Sequence, residues 1–209
     1  MLGKLISHIE AVRPTASTRP RSTSRWRAFP LWLHSVLVAL ALALMMGANG
    51  ELQNRYDATG YPVTFFEGQM TFSGTAVKGH WAELAQLGTL DAFAQVQQFD
   101  FIFMACVAAF GVLGGLLIVR LTSGRLARAI GYTTAVAAIT GALSDALENL
   151  VSFVMLADPT GFADAWAIAH SGFAVLKFAG MTVAMLAGTV GAVIVIVQLV
   201  RRGRSRRAG

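Results

Sequence analysis

The stretch that most constrains this chain is apolar enough to cross a bilayer, yet it contains three polar side chains. Residues 129–156 read AIGYTTAVAAITGALSDALENLVSFVML, which exceeds the roughly 18 apolar residues that a transmembrane helix needs. Within it, Asp145, Glu148 and Asn149 are spaced i, i+3 and i+4, so a helix presents them on one face. Carboxylates in a membrane are costly unless they find a partner, water or a proton. We therefore expect other segments to enclose and pair them.

The composition of the whole chain is that of a membrane protein. Of its 209 residues, 55% are hydrophobic and 13% are charged, and the mean hydropathy is +0.59. Soluble domains carry about 25% charged residues. Four apolar segments are long enough to span a bilayer, at about 30–48, 99–121, 129–156 and 167–200. The sequence therefore predicts an all-α, four-helix transmembrane bundle over residues 29–200.

The basic residues predict how the bundle sits in the membrane. Lysine and arginine total 17, and 14 of them fall in the N-terminal tail, the link between the second and third segments, or the C-terminal tail. A four-span topology places these regions on one side, which the positive-inside rule makes the cytoplasm. We predict a multi-pass cell-membrane protein with both termini cytoplasmic, a flexible basic tail at 1–28, a basic tail at 201–209 and an uncleaved first apolar segment. The high isoelectric point thus reports topology, and we predict no nucleic-acid partner.

The loop at 49–98, between the first and second spans, is the one sizeable extramembrane segment. Its first half is rich in aromatic residues and has no helical pattern, so we expect it to be irregular. Its second half, TAVKGHWAELAQLG, has four apolar residues on one face of a helix, at Val77, Trp81, Leu84 and Leu87. This pattern predicts an amphipathic helix across the top of the bundle or along the interface. It serves either as a structural cap or as a lid over an opening.

A lysine on the fourth span can pair with the acids of the third. Glu148 and Lys177 lie at similar distances from the short loop that joins these spans, and helices with a short connection pack as antiparallel neighbours. We therefore predict an ion pair between Lys177 and Glu148, with Asp145 about one turn deeper and Asn149 beside it. His170 lies two turns above Lys177 on a similar face and extends the candidate site outward.

The predicted cluster contains more acids than bases. Two carboxyl groups and one ammonium group leave a formal charge of −1, which is unfavourable in a low-dielectric environment. We expect one carboxylate to be ionised and paired with Lys177, and Asp145, the deeper acid, to hold a proton. Asp100 is 20 residues from Arg120, or about 30 Å along a helix. We therefore expect Asp100 to lie near the outer interface in contact with water.

Small residues recur on the faces that the spans can present to one another. Gly111 and Gly115 form a G-x-x-x-G spacing in the second span, Ala137 and Gly141 continue the polar face of the third, and Gly180 lies on the Lys177 face of the fourth. Small residues at these spacings allow helix backbones to approach closely in membranes. We therefore predict close packing between these three spans.

Several classes of chemistry find no support in the sequence. Cys106 is the only cysteine, so no disulfide can form within the chain. His80 and Glu83, three residues apart, are too few for a metal site, and no phosphate-binding loop or catalytic signature is present. We predict no metal and no cofactor.

Three functions remain compatible with this pattern. The first is a binding or transport-like protein whose cluster accepts a proton, or a small or lipidic ligand, from the outer side. The second is a membrane-embedded enzyme acting on a lipid or isoprenoid, with Asp145 or Glu148 as general acid. The third is a structural or accessory subunit that docks with other membrane subunits and uses the charges to fix helix register. We favour the first, with the lipid bilayer as the surrounding partner.

The arrangement resembles a group of bacterial four-helix integral membrane proteins with no assigned activity. In that group the third helix carries D-x-x-E-N and the fourth carries a lysine after a short outer loop. The matching residues here are Asp145, Glu148 and Asn149 in SDALENLVSFVML, and Lys177 in SGFAVLKFAG. The resemblance extends over the second to fourth spans and leaves out the basic N-terminal tail. It implies the same fold and a shared polar cluster, and it implies no substrate.

Overall fold

The computed structural model describes residues 29–207, and every regular element in that range is a helix. The prediction of a flexible tail at 1–28 concerns residues outside this range. The helices, numbered in chain order, are α1 (Leu31–Ala58), α2 (Phe65–Gln69), α3 (Gly74–Leu87), α4 (Leu90–Leu121), α5 (Arg125–Leu156) and α6 (Asp164–Arg207). Within the described residues, α1, α4, α5 and α6 are long and apolar enough to cross a membrane. The predicted all-α bundle of four transmembrane helices is therefore confirmed, and the chain is an integral membrane protein.

α5 is the central helix of the bundle, with α4 and α6 packed closely against it. Its buried side chains recur at helical spacing from Ala127 to Met155. α1 lies at the periphery and turns large apolar side chains such as Val36, Leu40 and Leu44 outward. Because exposed apolar side chains also run along α5 and α6, the outer surface of the bundle suits lipid contact.

Three contacts near the ends of α1 join this helix to α4. The imidazole Nε2 of His34 lies 3.0 Å from the carbonyl oxygen of Leu113, and its Nδ1 lies 3.0 Å from the guanidinium of Arg120. Toward the other end of α1, the guanidinium of Arg55 lies 4.4 Å from the centre of the Phe99 ring. The first pair of contacts belongs to the end of the bundle that carries Arg120, Arg125 and Arg128, which we call the arginine side. We call the opposite end the cap side.

Glycines allow the three inner helices to approach closely on the arginine side and at the middle of the bundle. A β-carbon on Gly115 would overlap the backbone of Gly131, and one on Gly111 would overlap Ala138, so α4 and α5 meet backbone to backbone. A β-carbon on Gly180 would lie 2.9 Å from the Cα of Gly141, which brings α6 equally close to α5. The predicted close packing of small residues is confirmed.

The cap segment, residues 59–89, closes the cap side of the bundle. α3 within it has the predicted amphipathic face, because Val77, Trp81 and Leu84 are buried, although Leu87 at the end of the face is exposed. Gly88, with φ of 72°, ends α3 in the left-handed conformation that glycine adopts without strain.

The prediction that the first half of the loop at 49–98 is irregular was wrong, because α1 continues to Ala58 and a second helix, α2, follows. Thr64 and Glu67 form a reciprocal box that starts the short helix α2: the Thr64 hydroxyl accepts a hydrogen bond from the Glu67 backbone, and the Glu67 carboxylate accepts one from the Thr64 backbone. The T-x-x-E spacing is the sequence signal for such a box. The helix is five residues long, too short to show hydrophobic periodicity.

Polar contacts fasten the cap segment to the bundle. The ammonium group of Lys78 lies 3.1 Å from a carboxylate oxygen of Asp164. The backbone N–H of Phe72 donates to the Ser171 hydroxyl on α6 over 3.0 Å. These contacts hold α2 and α3 over the ends of α4, α5 and α6, so the cap segment covers whatever lies between those ends.

Candidate functional site

One face of α5 carries a buried polar stripe toward the cap side. Asp145, Glu148, Asn149 and Ser152 lie on this face at helical spacing, and each is at most 1% exposed. The same face contains Gly141 one turn closer to the arginine side, where α6 approaches most closely. The face that packs against neighbouring helices therefore changes from small residues to polar residues along its length.

The lysine of α6 contacts both acids of α5. The Nζ of Lys177 lies 2.6 Å from Oε2 of Glu148 and 3.0 Å from Oδ1 of Asp145, and Lys177 is 3% exposed. The predicted Lys177–Glu148 ion pair is therefore confirmed, and Asp145 shares the same ammonium group. Lys177 is buried because it continues the face of α6 that contains the fully buried Ala167 and Ala174.

A third acid joins the cluster from α4. The prediction that Asp100 contacts water was wrong, because Asp100 is 1% exposed. Its Oδ2 accepts a hydrogen bond of 2.9 Å from the Asn149 amide, and its carboxyl group lies beside that of Asp145. The number of residues between Asp100 and Arg120 placed Asp100 correctly near the cap-side end of α4. The cap segment covers that end, so the side chain is kept from water. The sequence did hold a signal, since Asp100 lies on the same face of α4 as Met104 and Gly111.

Two further contacts extend the cluster toward the cap segment. The Nε2 of His170 lies 3.5 Å from Oε1 of Glu148, so His170 joins the site as predicted. The amide of Gln97 donates a 2.9 Å hydrogen bond to the hydroxyl of Ser152, a pair that the sequence reasoning did not anticipate. We call the assembled set the polar cluster: Gln97, Asp100, Asp145, Glu148, Asn149, Ser152, His170 and Lys177.

The charges of the polar cluster do not balance when every acid is ionised. Asp100, Asp145 and Glu148 are three carboxyl groups around the single ammonium group of Lys177, one acid more than the sequence predicted. Two ionised carboxylates in hydrogen-bonding contact repel each other, and buried charges are stable only when paired. The proximity of Asp100 and Asp145 is therefore more favourable when one of them is protonated. Which acid holds the proton stays a prediction, with Asp145 as the expected carrier.

A small cavity separates the polar cluster from the cap segment. It has a volume of about 20 Å³ and is walled by aromatic rings of the cap segment, α1 and α4, with Gln69, Gln97 and His170 among its polar lining. A cavity needs about 10–15 Å³ to hold one water molecule. The space therefore suits one or two small molecules of that size and no acyl chain.

The pKa values of two titratable groups in the cap segment, Tyr61 and Glu67, are shifted by their surroundings. Burial raises the pKa of the Tyr61 hydroxyl, so Tyr61 is a neutral phenol where it lines the cavity. Hydrogen bonds from the hydroxyl and backbone of Thr64 lower the pKa of Glu67, which is fully exposed to solvent. No Asp, Glu, Lys or Arg side chain is among the described residues that line the cavity.

Comparison with known proteins gives no relative for this arrangement. No family model, no curated protein and no solved structure matches the chain. Among the described residues, no group of three or more His, Cys, Asp and Glu side chains is placed to hold a metal ion.

Proposed function

We propose that this membrane protein uses the polar cluster as a protonation site that exchanges protons with water on the cap side. In this proposal the cap side faces outward and both termini are cytoplasmic, as the distribution of arginine and lysine suggests. The resemblance to four-helix membrane proteins with D-x-x-E-N and a lysine belongs to the same proposal, as the expectation that they share such a site.

The observation that carries the proposal is the contact between the Asp100 and Asp145 carboxyl groups beside Lys177. A carboxyl pair that shares one proton, with an ammonium group 3.0 Å from one member, can gain or lose that proton at modest cost. Lys177 keeps a partner in either state, because Glu148 lies 2.6 Å away. Ionisable groups inside a membrane domain commonly mark proton pathways for this reason.

The packing around the polar cluster supports proton exchange with water on the cap side only. Toward the cap side, His170 contacts Glu148 and also lines the small cavity, so a water molecule in the cavity would lie one side chain away from that acid. Toward the arginine side, the backbones of α5 and α6 meet at Gly141 and Gly180, and Gly111 of α4 packs directly against the Ala138 methyl group of α5. Close packing of this kind leaves no room for a water chain, so the proposal is a proton-binding site rather than a channel.

The alternative functions fit the geometry less well. A lipidic ligand or an isoprenoid substrate needs a long apolar slot beside the acids, whereas the cavity next to them has about 20 Å³. A docking subunit could offer the small-residue face of its second span to a partner helix, but Gly111 and Gly115 are already buried against α5. A purely structural role of the polar cluster remains the competing explanation that the experiment has to exclude.

The test is infrared spectroscopy of the purified chain in lipid nanodiscs over a range of pH. We expect the C=O stretching band of a protonated carboxylic acid at neutral pH, which disappears on alkalinisation and is lost or shifted in Asp145→Asn and Asp100→Asn. Asp164→Asn, at an exposed acid on α6, is the matched control and keeps the band. A spectrum without a titrating carboxylic acid band in the folded wild type would leave the cluster a fixed structural element.

A further inference from the structure

The cavity beneath the cap segment has hydrogen-bond acceptors that find no donor in the protein. The side-chain oxygens Oε1 of Gln69 and Gln97 and the Nδ1 of His170 are buried without a hydrogen-bond partner. All three residues line the cavity, and each is at least nine-tenths buried. Buried acceptors without donors destabilise a fold, so the cavity suits an occupant that supplies N–H or O–H groups.

The other contacts of these side chains fix the acceptor atoms. The amide nitrogen of Gln97 donates to Ser152, which leaves the carbonyl oxygen of Gln97 as its remaining polar atom. The Nε2 of His170 faces the carboxylate of Glu148 at 3.5 Å. This neighbour favours the tautomer with hydrogen on Nε2, in which Nδ1 has a lone pair and accepts. The polar part of the cavity therefore presents these three acceptors beside one donor without a partner, the indole N–H of Trp81.

The remaining walls favour a positive charge. Five aromatic rings line the cavity, those of Tyr56, Tyr61, Phe65, Trp81 and Phe93. The faces of such rings carry partial negative charge and attract cations. The polar cluster below contributes a net negative charge, because three acids surround one ammonium group and the shared proton neutralises one acid only.

We propose that this cavity binds a small cation with N–H donors, of which ammonium is the simplest. Ammonium has nearly the size of water and fits a volume of about 20 Å³. Its tetrahedral hydrogens can reach the acceptors of Gln69, Gln97 and His170 while the rest of the ion contacts aromatic faces. Potassium has a similar charge, but it needs a shell of oxygen ligands, and this cavity has mostly carbon walls. Tetramethylammonium suits aromatic faces but is too large.

This site is distinct from the proposed protonation of Asp100 and Asp145, and either can fail without the other. The infrared titration is done without ammonium and concerns the carboxyl pair. The ammonium experiment is done at one fixed pH and concerns the cavity.

The test measures the thermal unfolding temperature of the full chain in nanodiscs as chloride salts are added at constant pH and ionic strength. Ammonium is expected to raise Tm with saturation, because a ligand that binds only the folded state stabilises it. Potassium and tetramethylammonium are expected to have no saturable effect. Gln69→Met and Gln97→Met each remove an acceptor from a different element, so one suffices if the other does not fold. Each is expected to weaken the apparent affinity for ammonium at least tenfold.

Gln98→Met is the matched control, because Gln98 is exposed and follows Gln97 on the same helix. It is expected to bind ammonium as the wild type does. An equal response to potassium would show a general cation effect, and no response to ammonium would show that the cavity takes water alone. Unchanged ammonium affinity in both folded cavity variants would place the ion elsewhere. Each of these three results would overturn the proposal.

Discussion

The two halves of the α4–α5–α6 core are held together by different means. On the arginine side, Gly115 and Gly131 allow the backbones of α4 and α5 to touch inside the core, and the charged Arg202 of α6 contacts Leu121 and Ser123 only at the exposed end. On the cap side, the same helices meet through a lysine, three acids and two amides, all buried. The first half is stabilised by close contact between backbones, whereas the second needs every polar group to have a partner. A change of one residue should therefore act differently in the two halves.

The difference between the two halves also indicates which half has a role beyond stability. Packing of small residues is a sufficient means of joining membrane helices, and the glycine half uses it throughout. A protein that needed only a stable bundle could have continued that pattern to the cap side. The polar half instead accepts the cost of burying charges, which is the reason to look for function there.

The largest expected effect is the loss of the buried lysine. Lys177→Met leaves three acids around no cation, and removing one partner of a buried ion pair costs about 3–5 kcal/mol. Lys78→Met is the matched control, because Lys78 also pairs with an aspartate but at the protein surface. Such an exposed pair contributes about 0–1 kcal/mol. The free energies of unfolding are measured in detergent micelles.

A second substitution sharpens this result. Glu148→Gln added to Lys177→Met removes one of the acids that lost its partner, so we expect the double variant to be more stable than Lys177→Met alone. If the decreases in the free energy of unfolding caused by the two substitutions are additive, the lysine does not act on the acids through charge. The electrostatic account of the polar half would then be wrong.

The next largest effect concerns the glycine half. A β-carbon on Gly131 would lie 2.6 Å from the carbonyl oxygen of Gly115, so Gly131→Leu has to separate α4 from α5. Overpacking of this kind costs about 1–3 kcal/mol and sometimes more. Gly114→Leu is the control, because a β-carbon there meets no atom within 4 Å. Equal unfolding temperatures for the two variants would contradict the close backbone contact.

A smaller effect is expected for the acid that α4 contributes. Asp100→Asn keeps an oxygen that accepts from Asn149 and gains an amide that can donate to Asp145, so its free energy of unfolding should stay within about 1 kcal/mol of wild type. Asp100→Leu leaves the Asn149 amide without its partner, and a buried unpaired group costs about 1–3 kcal/mol. If Asn destabilises as much as Leu, the negative charge of Asp100 is required and the shared proton is excluded.

The smallest effect is expected at the surface of the cap segment. Thr64 lowers the pKa of Glu67 in the folded state, so ionised Glu67 stabilises the fold above its unfolded pKa of about 4.5. This contribution is lost as the pH falls through the lower folded pKa. The wild type should therefore lose slightly more Tm than Glu67→Gln between neutral and acidic pH. A parallel pH dependence of the two proteins would contradict a role for the box at α2.

The sequence predicted most of the fold and five of the eight residues of the polar cluster. Hydrophobic length predicted four spanning helices, and the spacing of Asp145, Glu148 and Lys177 predicted their contact, because helix geometry fixes which residues share a face. The burial of Asp100 could not be predicted from its level along α4 alone. It depends on the cap segment, whose position is set by contacts far apart in the chain, such as Phe72 with Ser171.

The central claim, that the polar cluster is a protonation site open to the cap side, is tested most directly with the chain in one orientation in lipid vesicles. The infrared band of the protonated carboxylic acid is recorded while the pH is changed on one side of the membrane at a time. We predict that the band follows the pH on the cap side and does not respond to the pH on the arginine side. A band whose intensity does not change with the pH on either side, or changes with the pH on the arginine side, would contradict the account.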